Sequence, residues 1–182
     1  MKVLLHACCG PCASACIPRL SAGGCDVTIL FANSNIDSAE EFERRRAAAE
    51  RLASHDRVAF AAVPYDHADW LEKVAKGFEG EPEKGRRCER CFRYSLAKAA
   101  EYAAEHGLDA FTTSLTVSPH KVSAMVFAAG DAVAASRGGA AFLHEDFKKK
   151  DGFMLSVRRA AELGLYRQSY CGCEFSRKGA EA

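Results

Sequence analysis

The sequence has 182 residues, with 25 basic and 24 acidic side chains and a net charge of +1. This near balance excludes the strongly basic character of a protein that binds nucleic acid over much of its surface, so any such surface must be local. With 48% hydrophobic residues, the chain is long enough for one well-packed domain, and we expect residues 1–182 to form a single domain.

The chain begins with a short apolar stretch, Val3 to Leu5, which ends at His6. This stretch is too short for a signal peptide, and no later segment approaches the length of a transmembrane helix. We therefore expect a cytoplasmic protein with no membrane partner. In a reducing cytosol, grouped cysteines are typical of metal ligands or redox groups rather than of a disulfide framework.

Predicted strands alternate with predicted helices along the whole chain. Pro11 suits a first helical turn, residues Ser38 to Glu41 form a capping box, and Gly107 suits a helix end. The predicted strands cover 2–7, 27–32, 57–63, 111–115 and 141–144, and the predicted helices cover 11–20, 38–54, 67–78, 88–106, 120–135 and 153–163.

Strands separated by single helices require right-handed crossovers, which produce a parallel sheet. The sequence therefore predicts a doubly wound α/β fold of the Rossmann-like, HUP-like type, with a mainly parallel sheet and helices on both faces. Functional sites in such folds lie at the carboxyl ends of the strands. Cys8, Cys9, His120 and Asp146 follow predicted strands and should meet at that edge.

Seven of the nine cysteines fall into three tight groups, which are Cys8, Cys9 and Cys12; Cys88 and Cys91; and Cys171 and Cys173. A structural zinc ion uses four ligands, so seven thiols exceed the need of one mononuclear metal. The pattern predicts an iron–sulfur cluster with a second metal or a redox-active thiol pair beside it. The alternative is that these are small buried residues, which is how we interpret Cys16 and Cys25.

Basic residues occur in several short runs. We interpret Arg44 to Arg46 and Arg158-Arg159 as solvated helix faces. The run from Lys84 to Arg93 surrounds a cysteine pair, where its charges can lower thiol pKa values and contact phosphates.

Two features do not predict a nucleotide site. The glycine-rich segment from Ser21 to Asp26 follows a helix, whereas a phosphate-binding loop follows the first strand and opens a helix. No dinucleotide fingerprint is present, so neither ATP nor a nicotinamide is predicted. The sole tryptophan, Trp70, is interpreted as a core residue.

Many short motifs in a fixed order closely resemble the QueH family of epoxyqueuosine reductases over nearly the whole chain. They begin with the stretch from Leu5 to Cys12. The others are Asn33 to Ile36, Tyr65-Asp66, Trp70, Glu81 to Phe92, Phe111 to Leu115, Ser118 to Lys121, Asp146 to Gly152 and Leu165 to Cys173.

The resemblance implies an oxidoreductase that performs the last step of tRNA queuosine biosynthesis without cobalamin. It would reduce epoxyqueuosine in the tRNA anticodon loop to queuosine, using a [4Fe–4S] cluster and an adjacent mononuclear iron. The resemblance assigns Cys8, Cys9, Cys88 and Cys91 to the cluster. It assigns Cys171 and Cys173, with Cys12 as helper, to the neighbouring metal or redox site.

The implied reaction also needs proton donors, a surface for tRNA and an external electron donor. The candidate proton donors are Asp146, His120, Tyr170 and Tyr65, each of which has a structural alternative as a hydrogen-bonded residue. A wobble base in a single-stranded loop can enter a pocket while basic side chains hold the flanking phosphates. The candidates for those contacts are Lys84, Arg86, Arg87, Lys121, Lys148, Lys149 and Lys150.

Two other functional classes fit part of the pattern. An RNA-binding module with a structural zinc site would account for the paired cysteines and the basic loops, and such a protein is colourless. A thiol–disulfide oxidoreductase would use Cys9 and Cys12 as a CxxC pair, but it has no need of the other two cysteine groups.

Overall fold

The computed structural model describes residues 1–179, which form one parallel five-stranded sheet with its helices. The strands are β1 (Lys2–His6), β2 (Asp26–Phe31), β3 (Ala59–Ala62), β4 (Ala110–Thr113) and β5 (Ala141–Phe142). The helices are α1 (Gly10–Ala22), α2 (Ala39–Asp56), α3 (His67–Trp70), α4 (Arg86–Glu105), α5 (Ser123–Arg137) and α6 (Gly152–Glu162).

The sheet has the order β3-β2-β1-β4-β5, and every neighbouring pair is parallel. The chain adds strands outward from β1 in one direction and then returns to add β4 and β5 on the other side. This reversal beside β1 confirms the predicted doubly wound fold. It also creates a crevice at the carboxyl end of β1, where such folds place their sites.

Helices cover both faces of the sheet. On one face α1 packs against α2 and α6, and on the other α4 packs against α5. The central strand divides its side chains between the two cores: Val3 and Leu5 belong to one buried cluster and Leu4 to the other. This alternation follows from the period of two in a strand, and both faces are apolar because both are covered.

Several predicted elements differ in detail. The strand predicted over 111–115 ends at Thr113, because Ser114–Val117 form a 3₁₀ turn. The helix predicted over 67–78 ends at Trp70 and continues as a wider π turn over Leu71–Ala75, in which the Lys76 N–H reaches the Leu71 carbonyl at 2.9 Å. The strand predicted over 141–144 is shorter in the structure: Ala141 and Phe142 pair with β4, and the Leu143 N–H makes a last bond to the Phe111 carbonyl at 2.9 Å.

A capping box consists of two reciprocal hydrogen bonds, and at α2 one of the two is formed. The Ser38 hydroxyl caps the helix by accepting from the Glu41 N–H at 3.2 Å. The Glu41 carboxylate instead accepts from Arg45 inside the protein. Within residues 1–179, no helix combines the length and the apolar character needed to cross a bilayer.

Candidate functional site

A cavity of about 650 Å³ lies at the carboxyl end of β1, and five cysteines contribute to its wall. All three cysteine groups contribute to it, although they lie up to 163 positions apart in the chain. The cysteines that line it are Cys8, Cys9, Cys12, Cys91 and Cys171. Cys173 packs with Cys91 against the small core around Trp70, and the Cys88 sulfur accepts from the Lys84 N–H at 3.3 Å.

The first group forms a compact corner, in which the sulfur atoms of Cys8, Cys9 and Cys12 all lie within 4.8 Å of one another. Cys9 is the N-cap of α1, and its sulfur accepts from the Cys12 N–H at 3.4 Å. Helix N-termini favour negative charge. Hydrogen bonds from Cys12 and Cys8 hold the pKa of the Cys9 thiol well below its usual range, whereas the pKa values of Cys8 and Cys12 are raised. The negative charge of this corner is therefore centred on Cys9.

Ser114, which follows β4, orients the first of these thiols. Its hydroxyl accepts from the Cys8 N–H at 3.0 Å and lies 3.2 Å from the Cys8 sulfur, to which it donates. The adjacent pair Cys8 and Cys9 reaches one cavity because the strand has ended at His6 and the chain turns before α1 begins. An extended strand would send neighbouring side chains to opposite faces.

The segment that follows α6 and carries Cys171 and Cys173, called the tail below, brings the Cys171 thiol into contact with a buried cation. Lys121 Nζ donates to the Cys171 sulfur at 2.7 Å. Burial disfavours the charged ammonium, but the negative charges of Cys171, Cys91 and Cys88 outweigh it and raise the pKa of Lys121. Lys121, predicted as an RNA contact, therefore lies in the cavity wall with its ammonium against the Cys171 sulfur.

Arg45 fixes the position of this tail. Only 1% of its surface is exposed, and its guanidinium donates to the Glu41 carboxylate at 2.7 Å and to the Cys171 carbonyl at 2.9 Å. The other Glu41 oxygen accepts from the Tyr166 hydroxyl at 2.8 Å. A buried arginine–glutamate pair thus connects α2 to the backbone of a candidate metal ligand.

The tail is also fitted tightly to the loop after β2. The Asp37 N–H donates to the Gly172 carbonyl at 2.9 Å. Gly172 has φ 137°, and a Cβ atom there would lie 3.0 Å from Asn35 Nδ2 and 3.2 Å from Arg45 Nη1. This conformation and this space favour glycine, so packing accounts for the glycine between Cys171 and Cys173.

Cys91 faces the cavity from α4 and lies beside Trp70. Burial, and then the negative charge of Cys171, raise the pKa of the Cys91 thiol, while the Trp70 side chain acts in the opposite direction. The Trp70 indole nitrogen is buried and, in the part of the chain that the structure describes, has no hydrogen-bond partner. Trp70 is a core residue as predicted, and it also contacts the thiol wall.

The structure divides the four predicted proton donors into two pairs. His120 and Tyr170 line the cavity. Tyr170 donates its hydroxyl proton to Asp37 at 2.8 Å. Tyr65 and Asp146 lie outside the wall: the Tyr65 hydroxyl donates to the Ile36 carbonyl at 2.7 Å, and Asp146 accepts from Ser123 at 3.0 Å. His120 is therefore the best placed of the four.

The predicted RNA-binding residues are likewise divided by their surroundings. Arg87 is 3% exposed, and its guanidinium donates to the carbonyls of Phe78, Glu79 and Glu81, so it holds the 78–85 loop instead of facing solvent. Lys148 donates to the Lys121 carbonyl at 2.6 Å. The exposed members of the set are Lys84, Arg86, Lys149 and Lys150.

Sequence reasoning missed several polar residues of the wall, namely His6, Asn33, Asn35, Arg45 and Gln168. Burial lowers the pKa of His6, so its imidazole is disposed to be neutral. A histidine at the end of an apolar strand, next to a cysteine pair, is a signal that the sequence does contain. Arg45 is signalled by its spacing from Glu41, because residues four apart on a helix face each other.

A family model described as epoxyqueuosine reductase QueH matches residues 3–179. The curated relative from Streptococcus pyogenes serotype M1, named epoxyqueuosine reductase QueH, is 37% identical over 97% of this chain and 71% of its own length. The relatives of the same name from Acinetobacter baylyi and Thermotoga maritima are 36% and 33% identical. Each match covers 96% of this chain, with 80% and 89% of the respective relative.

Two solved structures share the fold. The U34-tRNA thiolase NcsA from Methanococcus maripaludis, solved with its [4Fe–4S] cluster, superposes with a TM-score of 0.60 at 12% identity over 97% of this chain and 61% of that chain. A predicted tRNA methyltransferase subunit from Methanocaldococcus jannaschii gives a TM-score of 0.55 at 14% identity, over 86% of this chain and 76% of that chain. The solved structures establish the architecture, whereas the family model and the curated relatives establish that this chain belongs to the QueH family of epoxyqueuosine reductases.

Proposed function

We propose that this protein reduces epoxyqueuosine in the anticodon loop of tRNA to queuosine. The observation that carries the proposal is the convergence of five cysteines, from three distant parts of the chain, on one cavity. Removing an epoxide oxygen to leave an alkene consumes two electrons and two protons and releases one water. A thiol-rich cavity offers ligands for an electron-carrying metal group. The proposed substrate is the one for which the family is named, epoxyqueuosine.

The residues present fit an iron–sulfur group. Thiolates are the ligands of such clusters, and the corner of Cys8, Cys9 and Cys12 offers three within 4.8 Å of one another. Because Cys12 lies in this corner, we assign it to the cluster with Cys8 and Cys9, in place of its predicted position beside the tail cysteines. A thiol of α4, Cys88 or Cys91, completes the cluster, and Cys171 and Cys173 hold the additional iron. NcsA provides an example of this fold with a [4Fe–4S] cluster.

When bound, these metals supply single electrons and a Lewis-acidic site for the epoxide oxygen. The chain's own residues provide the rest of the site. Lys121 balances the negative charge of the thiolates, and His120 delivers a proton to the departing oxygen from the cavity wall. Asn33 and Asn35 offer amide groups to the modified base in the interior.

The proposed partner is tRNA carrying epoxyqueuosine at the wobble position, and an external donor supplies the electrons. A cytoplasmic location is part of the proposal, because that is where the substrate is found. The decisive experiment incubates anaerobically purified protein with a low-potential reductant and tRNA that contains epoxyqueuosine, followed by nucleoside analysis. Conversion to queuosine supports the proposal. Protein that contains iron and sulfide but gives no conversion contradicts it.

Metal analysis of the same preparation separates this proposal from the other two classes. Iron in excess of sulfide is expected if both a cubane and an additional iron are present. One zinc ion per chain without sulfide would identify the RNA-binding module, and metal-free protein with a reversible dithiol would identify the thiol–disulfide oxidoreductase.

The exposed lysines of the 146–150 loop should bind tRNA phosphates. In the described residues, no carboxylate pairs with Lys149 or Lys150, so their charges are free to act on a ligand. Replacing both with alanine should weaken tRNA binding and reduce the slope of log affinity against log salt by about 1 to 2. Iron content should stay unchanged.

A control for surface charge away from this loop is Arg137→Ala at the end of α5, which removes one charge that pairs with Glu101 at 3.8 Å. Arg137 is exposed and precedes β5, so it lies at the opposite edge of the sheet from the cavity. Equal losses of tRNA affinity in the lysine variant and in this control would show that the effect is one of general charge, and would reject a specific phosphate contact by the 146–150 loop.

A further inference from the structure

His6 is a buried polar residue that the reaction outlined above does not use. It ends β1, two positions before Cys8, and is 1% exposed. One ring nitrogen, Nδ1, lies 2.9 Å from the hydroxyl of Thr113. The other, Nε2, is buried at the cavity wall, and none of the residues 1–179 forms a hydrogen bond with it. One ring nitrogen thus has a hydrogen-bond partner, and the other has none among the described residues.

The position of the ring hydrogen follows from Thr113, which is also 1% exposed. Its hydroxyl oxygen accepts from the Leu115 N–H at 3.1 Å. The single hydroxyl hydrogen needs an acceptor of its own, because a buried donor left unpaired is destabilising. Among the described residues, the acceptor within hydrogen-bond distance is His6 Nδ1. Nδ1 therefore accepts, and in the neutral ring the hydrogen is on Nε2.

The Nε2–H group has two protein oxygens in its neighbourhood, those of the Ala32 carbonyl and the Asn33 side chain. Neither reaches hydrogen-bond geometry with it. The Asn33 amide nitrogen is engaged elsewhere, since it donates to the Ala7 carbonyl at 2.8 Å. His6 lines the same cavity wall as Cys8, Cys9 and Cys12.

A buried donor in the wall that carries the thiol corner, with no acceptor among the described residues, is suited to an acceptor that the polypeptide does not provide. We propose that His6 donates a hydrogen bond from Nε2 to a sulfur of the cluster held by this corner, and that Thr113 fixes the tautomer that makes this possible. The inference rests on the proposed function for the presence of the cluster. Such a bond favours the more negative, reduced form of the cluster, so its role is to raise the reduction potential.

The test is the midpoint potential of the cluster, measured by spectroelectrochemical titration of anaerobically purified protein. His6→Leu removes the donor and should make reduction roughly tenfold less favourable, which is a downward shift of ~59 mV for a one-electron couple. Thr113→Val leaves the imidazole in place but frees its tautomer, so a smaller downward shift is expected. Thr113→Ser keeps the hydroxyl and should match the wild type.

A second measurement does not depend on the metal. In apo protein labelled with ¹⁵N-histidine, the shifts of the His6 nitrogens should identify the Nε2–H tautomer, and Thr113→Val should populate the Nδ1–H form. A wild-type Nδ1–H tautomer would overturn the inference. So would an unchanged midpoint potential in His6→Leu protein with normal iron and sulfide. Wild-type protein lacking iron and sulfide would instead overturn the proposed function, and this inference with it.

Discussion

Cys9→Ser protein, purified without oxygen, should be colourless, contain little inorganic sulfide and fail to convert epoxyqueuosine. Cys9 is the N-cap of α1 and the thiol whose pKa is lowered by its neighbours, so it is the anionic ligand on which the corner depends. Serine keeps the cap but does not supply a thiolate. The loss should exceed the roughly 10- to 100-fold effect that is typical of removing an outer partner of a metal site.

Cys25→Ser provides the matched control. Cys25 lies in the turn before β2, packed against the core and away from the cavity. This variant should retain colour, sulfide and turnover. The assignment of the corner as the metal site would be wrong if Cys9→Ser protein retained full sulfide and activity, or if Cys25→Ser lost as much as Cys9→Ser.

Arg45→Met should produce the largest loss of stability among single changes on α2. The change leaves the buried Glu41 carboxylate without its cation, and breaking a buried ion pair in this way costs about 3–5 kcal/mol. It also releases the Cys171 carbonyl. The free energy of unfolding of apo protein, measured in urea, should fall by that amount. The fraction of the Arg45→Met variant that remains folded should bind less iron, because the Cys171 and Cys173 thiols lose their fixed position.

The neighbouring Arg46→Met is the control for Arg45→Met. Arg46 pairs with Glu43 and Glu50 at the surface, and surface pairs contribute roughly 0–1 kcal/mol. If the two variants lose the same stability, the buried pair does not hold the tail. A double change, Arg45→Met with Glu41→Gln, should recover part of the loss because it removes the unpaired charge.

Much of the fold could be predicted from local patterns. Ser38 as a helix cap and the alternation of strand and helix depend on short-range chemistry, and both agree with the structure. That Cys8, Cys9 and His120 share one cavity also followed from topology, because the carboxyl ends of parallel strands share one edge. The exact number of residues in an edge strand such as β5 depends on its partner, which local patterns do not contain.

The side chains of the site were harder to predict, because their roles depend on what faces them. Arg45 was interpreted with Arg44 and Arg46 as part of a solvated face. Three consecutive helical residues point in different directions, and only the structure shows that Arg45 points inward. Lys121 and Arg87 were grouped by their charge with the phosphate contacts. In the structure Lys121 donates to a cysteine sulfur, and Arg87 donates to three backbone carbonyls. The sign of a charge is visible in the sequence, but its partner is not.

The location of Trp70 has a practical consequence. It is the chain's one tryptophan, and Cys91 and Cys173 pack against the small core that contains it. Its ultraviolet emission therefore originates beside the thiols proposed to bind metal. Because iron–sulfur groups absorb at the wavelengths at which indole emits, filling the site should quench this fluorescence. The chain thus carries an intrinsic optical probe of its own metal content, readable at micromolar concentration without any label.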